Sequence, residues 1–166
     1  CGSKYCIGFG NGMDALVLIL RAYDIGPGDE VIVTSRTFLA SVSSIVNAGL
    51  KPVFADVNEG NQNIELETIQ AVLTKKTRAI ICVHLAGWPC DMDGLRALAE
   101  PHGIKLIEDC AQAHGAALNG RPVGGLGDVA AWSRYVIWSD MRGSMPCAHP
   151  IVNSLLRLRN LRRVLL

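Results

Sequence analysis

The fold is decided by residues 78–109, which read RAIICVHLAGWPCDMDGLRALAEPHGIKLIED. Two near-continuous apolar strands are predicted, at Arg78–Leu85 and Ile104–Asp109, and a helix is predicted between them at Met92–Glu100. Strands that are apolar on both faces are typical of parallel sheets covered by helices on each side. This segment therefore predicts a β-strand, a crossover helix and a parallel β-strand.

The same alternation extends in both directions along the chain and predicts an α/β fold, a three-layer doubly wound and mostly parallel sheet. Ligands of such sheets bind at the carboxyl ends of the strands and at helix N-termini. The further predicted strands are Glu30–Thr34, Lys51–Val57 and Gly127–Ser133, and the further helices are Asp14–Tyr23, Leu39–Asn47 and Glu65–Leu73. The strand ends that matter most are Thr34–Phe38, Asp56, His84–Gly87 and Asp109–His114.

Composition limits the classes of function. The 166 residues are 49% hydrophobic and 19% charged, enough for one buried core, which excludes intrinsic disorder. The apolar runs are shorter than the ~20 residues of a membrane span, and the first 133 residues are acidic, which argues against nucleic-acid binding. Six cysteines without a C-x-x-C pair argue against a zinc site and indicate a reducing cytoplasm.

A boundary is predicted near Ser133. Residues 134–166 contain six arginines and one acidic residue, Asp140, and the last lysine of the chain is Lys105. We therefore divide the chain into a domain at 1–133 and a divergent basic tail at 134–166, with a C-terminal helix predicted at Ile151–Leu166.

Several residues are candidates for a site, each with a structural alternative. The glycine-rich turn Gly8–Asp14 leads into a helix whose N-terminus suits an anion, although Met13 replaces the last glycine of the dinucleotide fingerprint and an ordinary turn is the alternative. Asp109 ends a buried strand, which indicates either a cationic ligand or a capped turn or ion pair. Phe38 is suited to stack on a flat ring, with core packing as the alternative.

His84 and Ser133 are weaker candidates. His84 has no second histidine or cysteine at ligand spacing, so a hydrogen-bonded structural role is the interpretation we favour. Ser133 immediately precedes the change in composition, and a single serine indicates little by itself.

Seven segments, in this order and spacing, resemble the DegT/DnrJ/EryC1/StrS family of sugar aminotransferases. They cover residues 1–133, about four-fifths of the chain, and read GNGMDAL, GPGDEVIVTSRTFLAS, AGLKPVFADV, NIELETI, TRAIICVHLAGWPCDMD, HGIKLIEDCAQAHGA and GDVAAWS. The resemblance implies a partial large domain of the fold-type I PLP-dependent transferase fold, where PLP is pyridoxal 5′-phosphate.

The resemblance also implies a role in PLP binding for each matched position. The family's phosphate-binding positions match Gly12, Met13 and Ser133, and Met13 replaces a threonine whose hydroxyl contact is lost. The other matches are Phe38, which would stack on the pyridine ring, Asp109, which would pair with the protonated ring nitrogen, and Gln112, which would contact the 3′ oxygen. Ala86 and Trp88 stand where the family often has an aromatic residue and a glutamine.

The family's catalytic lysine, which forms the Schiff base with PLP, lies five residues after that serine, and here the position is Trp138. The resemblance therefore implies a truncated family member without transaminase activity of its own. Two alternatives stay open: an active aminotransferase on nucleotide-linked keto sugars working through an oligomer, and a non-enzymatic binding or assembly module that uses the basic tail. The family also implies a homo-oligomer, in particular a dimer.

Overall fold

A computed structural model describes residues 1–133 of the chain, and the sheet is its centre. The strands are β1 (Glu30–Thr34), β2 (Lys51–Ala55), β3 (Thr77–Val83), β4 (Lys105–Asp109), β5 (Ala117–Leu118), β6 (Arg121–Pro122) and β7 (Val129–Ala131). Five of them run parallel in the order β2-β1-β3-β4-β7, and β5 and β6 form a two-stranded antiparallel hairpin outside the sheet. The predicted parallel α/β sheet is confirmed.

Four α-helices connect the strands. They are α1 (Gly12–Ala22), α2 (Leu39–Asn47), α3 (Leu66–Val72) and α4 (Met92–Ala99). The predicted bounds are reproduced for α2 and lie within two residues for the others. Helix α1 begins two residues before the prediction because the Asn11 side chain accepts a hydrogen bond from the Asp14 N–H and caps it.

Alternate residues of each strand pack against different helices, which produces three layers. Val31 and Val33 belong to the apolar cluster that includes α1 and α2, whereas Ile32 belongs to the cluster that includes α3 and α4. Strand β4 divides in the same way, with Leu106 on the α4 side and Ile107 on the α1 side. Burial on both faces explains why these strands read as continuous apolar runs.

Three strands are shorter at their ends than predicted. The strand predicted to Val57 ends at Ala55, and the strand predicted to Leu85 ends at Val83, because the chain then forms a one-turn 3₁₀ helix at Leu85–Gly87. The strand predicted over 127–133 narrows to Val129–Ala131. Most of the lost residues lie at the carboxyl edge of the sheet, where the chain turns into a loop, whereas Gly127 and Asp128 are lost at the amino end of β7.

Other predictions have mixed outcomes. Cys82 and Cys110 are wholly buried in the core, as is common for free cysteines. No helix within residues 1–133 has both the length and the apolar character required to span a membrane. The helix predicted at Ile151–Leu166 and the position of Trp138 lie outside the described residues.

Candidate functional site

The candidate site lies at the carboxyl edge of the sheet. Because all five strands are parallel, the segments that follow them emerge on one edge, and helix α1 begins there as well. The sequence-predicted residues brought to this edge are Gly12 and Met13 on α1, Phe38 after β1, Asp109 and Gln112 at and after β4, and Ser133 after β7.

The start of α1 lies against Ser133. A Cβ atom placed on Gly12 would stand 2.9 Å from Ser133 Cβ and 3.3 Å from its Oγ, so only glycine fits without displacement. Met13 turns its side chain toward α2, where its Sδ lies 3.9 Å from Asn47 Nδ2. The first N–H groups of a helix have no acceptor within the helix, so this end of α1 and the Ser133 hydroxyl together suit an anionic group.

Asp109 ends β4 with a buried carboxylate. The Ser41 hydroxyl donates to its Oδ2 at 2.8 Å, and the Ala111 N–H donates to its Oδ1 at 3.1 Å. Of the two structural alternatives, the turn exists, through Ala111, whereas no cationic side chain within residues 1–133 forms an ion pair with this carboxylate.

The surroundings of Asp109 disfavour its charge. Burial raises the pKa of this carboxyl, and the hydrogen bonds from Ser41 and Ala111 only partly oppose the rise. A buried carboxylate is stabilised by an adjacent cation, and such a partner would lower this pKa. The position therefore suits a ligand that brings its own positive charge.

Phe38 is exposed at the same edge. Its side chain is 75% exposed, so the alternative of core packing is wrong. Phe38 precedes α2, and its carbonyl accepts a hydrogen bond from the Ser41 N–H at 3.1 Å. Since the Ser41 hydroxyl contacts Asp109, the exposed ring and the buried carboxylate are connected through one residue.

Gln112 closes another side of the site. Its Oε1 accepts a hydrogen bond from the Ala86 N–H at 2.8 Å, which leaves the amide N–H₂ as a donor for a ligand. Ala86 has a φ of 52°, an uncommon value for a residue with a side chain. Asn63 supports this turn, because its amide donates to the Trp88 carbonyl and its Oδ1 accepts from the Leu85 N–H.

Glu108 and His84 lie on the opposite face of the sheet and are wholly buried. Glu108 accepts hydrogen bonds from His84 Nε2 at 3.0 Å and from three backbone N–H groups, those of Gly124, Leu126 and Gly127. Burial alone would raise the pKa of Glu108, but these hydrogen bonds outweigh it and the pKa is lowered.

His84 is a structural histidine, as predicted. Its Nδ1 accepts from the Cys90 N–H at 3.1 Å, so the ring is neutral and donates from Nε2 to Glu108. Cys110 lies within ligand distance of both side chains, but Glu108 has no free lone pair and burial raises the pKa of the thiol far above neutrality. This group is therefore a hydrogen-bonded clamp rather than a metal site.

Three residues of the site were missed by the sequence analysis: Ser41, Asn63 and Glu108. Each acts through a partner distant in sequence; Ser41 is 68 residues from Asp109. A polar residue in an apolar setting was the one available signal. It is strongest for Glu108, which interrupts an otherwise apolar strand next to Asp109.

The DegT/DnrJ/EryC1/StrS aminotransferase family model matches residues 1–137. Among curated relatives, the dTDP-3-amino-3,6-dideoxy-alpha-D-galactopyranose transaminase of Aneurinibacillus thermoaerophilus is 52% identical over 133 residues. That alignment covers 80% of this chain and 37% of the relative.

Solved structures give the same result. An aminotransferase from Psychrobacter cryohalolentis superposes with a TM-score of 0.77 and 63% identity, over 78% of this chain and 33% of that one. Spr1654 from Streptococcus pneumoniae, solved in a PLP form, has a TM-score of 0.71 and 34% identity, over 74% of this chain and 35% of that one. The chain thus spans about a third of the length of these proteins.

Proposed function

Because the chain belongs to the DegT/DnrJ/EryC1/StrS aminotransferase family, we propose that residues 1–133 form a PLP site on a partial large domain of the fold-type I transferase fold. The observation that carries the proposal is the buried Asp109 carboxylate, which has no cationic partner within these residues and lies at the same edge of the sheet as the exposed ring of Phe38. Residues 134–166, which follow this domain, form a separate basic tail in the proposal.

The residues present fit the chemical groups of PLP. The pyridinium nitrogen is a cation on a flat ring, which matches Asp109 and the face of Phe38. The phosphate is a dianion, which matches the start of α1 at Gly12 and Met13 and the Ser133 hydroxyl beside it. The free amide N–H₂ of Gln112 is a donor for the 3′ oxygen of the ring.

Each group has a separate task. Asp109 keeps the ring nitrogen protonated, Phe38 fixes the plane of the ring, and the α1 amides fix its position through the phosphate. When bound, PLP supplies an electron-withdrawing ring that accepts electrons from the bond broken in the substrate. The residues named here bind and orient it.

The proposal includes loss of transamination by this chain alone. In the resemblance the lysine position is occupied by Trp138, and no lysine follows Lys105. Lys51 and Lys105 begin β2 and β4, and Lys105 is therefore about 13 Å along the strand from Asp109 at ~3.3 Å per residue. Lys75 and Lys76 precede β3 and lie at the same, amino edge of the sheet.

The wider setting of the proposal follows the family. The name of the A. thermoaerophilus relative supports a nucleotide-linked sugar as the substrate of a complete protein, and the family implies a homo-oligomer, in particular a dimer. The thiols of Cys82, Cys90 and Cys110 are free and buried, which supports a reducing, cytoplasmic location. The alternative of an active aminotransferase requires a lysine supplied by another chain.

An absorbance titration with PLP followed by borohydride reduction tests both halves of the proposal. We expect reversible binding and, after reduction and peptide mapping, no site-specific covalent adduct. An adduct that disappears in D109N would contradict the loss of the lysine. Turnover of glutamate with a nucleotide-linked keto sugar would favour the alternative of an active oligomer.

A gain of function gives a second test. If Trp138 occupies the lysine position, the variant W138K gains a reducible bond to PLP at residue 138, whereas a lysine introduced two residues later, in the variant D140K, does not. Equal labelling of both variants would contradict the assignment of Trp138.

A further inference from the structure

We propose that Ser41 is a positioning residue for the cofactor ring: it orients the Asp109 carboxylate and joins it to the loop that carries Phe38. The inference rests on the PLP site proposed above and assigns a role to a residue for which the resemblance itself implies none. It is drawn from one chain of hydrogen bonds across the carboxyl edge of the sheet.

The chain of hydrogen bonds has three members. Thr37 Oγ1 lies 2.8 Å from Ser41 Oγ, and Ser41 Oγ lies 2.8 Å from Asp109 Oδ2. Ser41 is 1% exposed and Asp109 is 8% exposed, so water does not compete freely for these bonds. The Ser41 N–H also donates to the Phe38 carbonyl, so the backbone that carries the exposed ring belongs to the same unit.

The directions of the bonds follow from counting protons. A serine hydroxyl has one proton, and an ionised carboxylate has none to give. Ser41 must therefore donate to Asp109, and it must accept from Thr37 in the other bond. The hydrogen bonds therefore run from Thr37 to Ser41 and from Ser41 to Asp109. Both hydroxyl protons point toward the carboxylate, which favours a negative charge on Asp109.

This arrangement opposes the desolvation of Asp109. The Ser41 hydrogen bond is the largest of the influences that lower the pKa of the carboxyl, and the Ala111 N–H adds to it. His84, at the end of β3, is the other titratable group near Asp109, and its ring is neutral because Nδ1 accepts from the Cys90 N–H. Because Ser41 donates to Oδ2 and Ala111 donates to Oδ1, the carboxylate is fixed in one orientation toward a ring cation.

The geometry also explains why one residue serves both groups. Strands β1 and β4 are separated by β3, which places their ends about 9–10 Å apart at ~4.8 Å per strand spacing. The first turn of α2 and the Ser41 side chain together bridge this interval, because Phe38 precedes the helix and the hydroxyl of Ser41, its third residue, reaches Asp109 at 2.8 Å. A shift of that turn would move the aromatic ring and the carboxylate together.

The test compares S41A with S41T, which keeps the hydroxyl, and with S43A. Ser43 is half-buried on the same helix and makes no side-chain hydrogen bond to the described residues, so S43A is a matched control. Two quantities are measured: the dissociation constant of PLP by absorbance, and the titration of the Asp109 carboxyl in the unliganded protein by ¹³C NMR.

We expect S41A to weaken PLP binding about tenfold or more, as for loss of a hydrogen bond to a charged group, and to raise the pKa of Asp109. S41T should retain both wild-type values, as should S43A. T37V removes the donor to Ser41 and should shift both quantities in the same direction as S41A, which provides a second variant if S41A folds poorly.

Equal effects of S41A and S43A on both quantities would overturn the role of Ser41. Failure of the wild-type chain to bind PLP would instead overturn the proposed function. The NMR titration separates the two results, since an unchanged Asp109 pKa in S41A contradicts the inference whether or not PLP binds.

Discussion

Glu108 and Asp109 are consecutive residues of β4, and their carboxylates lie on opposite faces of the sheet in opposite electrostatic surroundings. Glu108 accepts four hydrogen bonds, and its pKa is lowered. Asp109 accepts two, and burial raises its pKa. Neighbouring carboxyl groups whose pKa values are driven apart in this way can divide the tasks of a site. Glu108 holds the scaffold together, and in the proposed function Asp109 is the carboxylate that meets the ligand.

The role of Glu108 predicts a stability defect in E108Q. The glutamine keeps the shape but can accept at one oxygen only, so at least one of the buried N–H donors from Gly124, Leu126 and Gly127 loses its partner. We expect a loss of about 2–3 kcal/mol in the free energy of unfolding, measured by urea denaturation. E59Q, at an exposed glutamate, is the control and should change stability by less than about 0.5 kcal/mol. Equal stability of the two variants would contradict the clamp.

The lowered pKa of Glu108 also predicts a pH dependence. A carboxyl whose pKa is lower in the folded than in the unfolded state stabilises the fold above its unfolded pKa of about 4.3, and that contribution is lost as the pH falls through the folded value. The difference in unfolding free energy between wild type and E108Q should therefore be constant near neutrality and shrink in acid. A difference that grows in acid would show that the assigned direction is wrong.

Asp109 predicts the opposite behaviour in the absence of a ligand. Its pKa is higher in the folded than in the unfolded state, where it is about 3.9. The resulting contribution to the free energy of unfolding is fully present below the unfolded pKa and is lost as the pH rises through the folded pKa. D109N remains neutral at every pH, and the Ser41 hydroxyl can reverse to accept from the new amide. We expect D109N to gain stability relative to wild type as the pH rises, as measured by urea denaturation at pH 3 to 7.

The contact between Gly12 and Ser133 predicts the effect of G12A. The new Cβ would lie 2.9 Å from Ser133 Cβ and would displace that residue from the start of α1. We expect a loss of about 1–3 kcal/mol in stability from overpacking and a weaker affinity for PLP. G8A is the control, because a Cβ at Gly8 meets nothing within 4 Å. If G12A binds PLP like G8A, these residues do not form the phosphate site.

The sheet was predictable from sequence because burial on both faces leaves a strong pattern. Helix α2 was predicted at its observed bounds, Leu39–Asn47. The hairpin of β5 and β6 was missed because its strands have two residues each and carry no periodicity. Its turn was recognisable, however: Asn119 and Gly120 have φ values of 51° and 76°, as expected of the Asn-Gly pair in a type I′ turn.

The site was predictable only in part. Strand ends placed Phe38 and Asp109 at one edge, since parallel strands finish together. The hydrogen bond from Ser41 to Asp109 joins residues on different elements and depends on how α2 packs over the sheet, which no local pattern encodes. The same holds for Glu108, whose three backbone donors come from a loop at 124–127.

The proposed function depends above all on Asp109 as the partner of a cofactor cation. It is tested most directly by the dissociation constant of PLP for wild type and for D109N, with circular dichroism to verify that both are folded. We predict that D109N binds PLP at least tenfold more weakly while being no less stable without it. Equal affinity of the two proteins would contradict this role of Asp109.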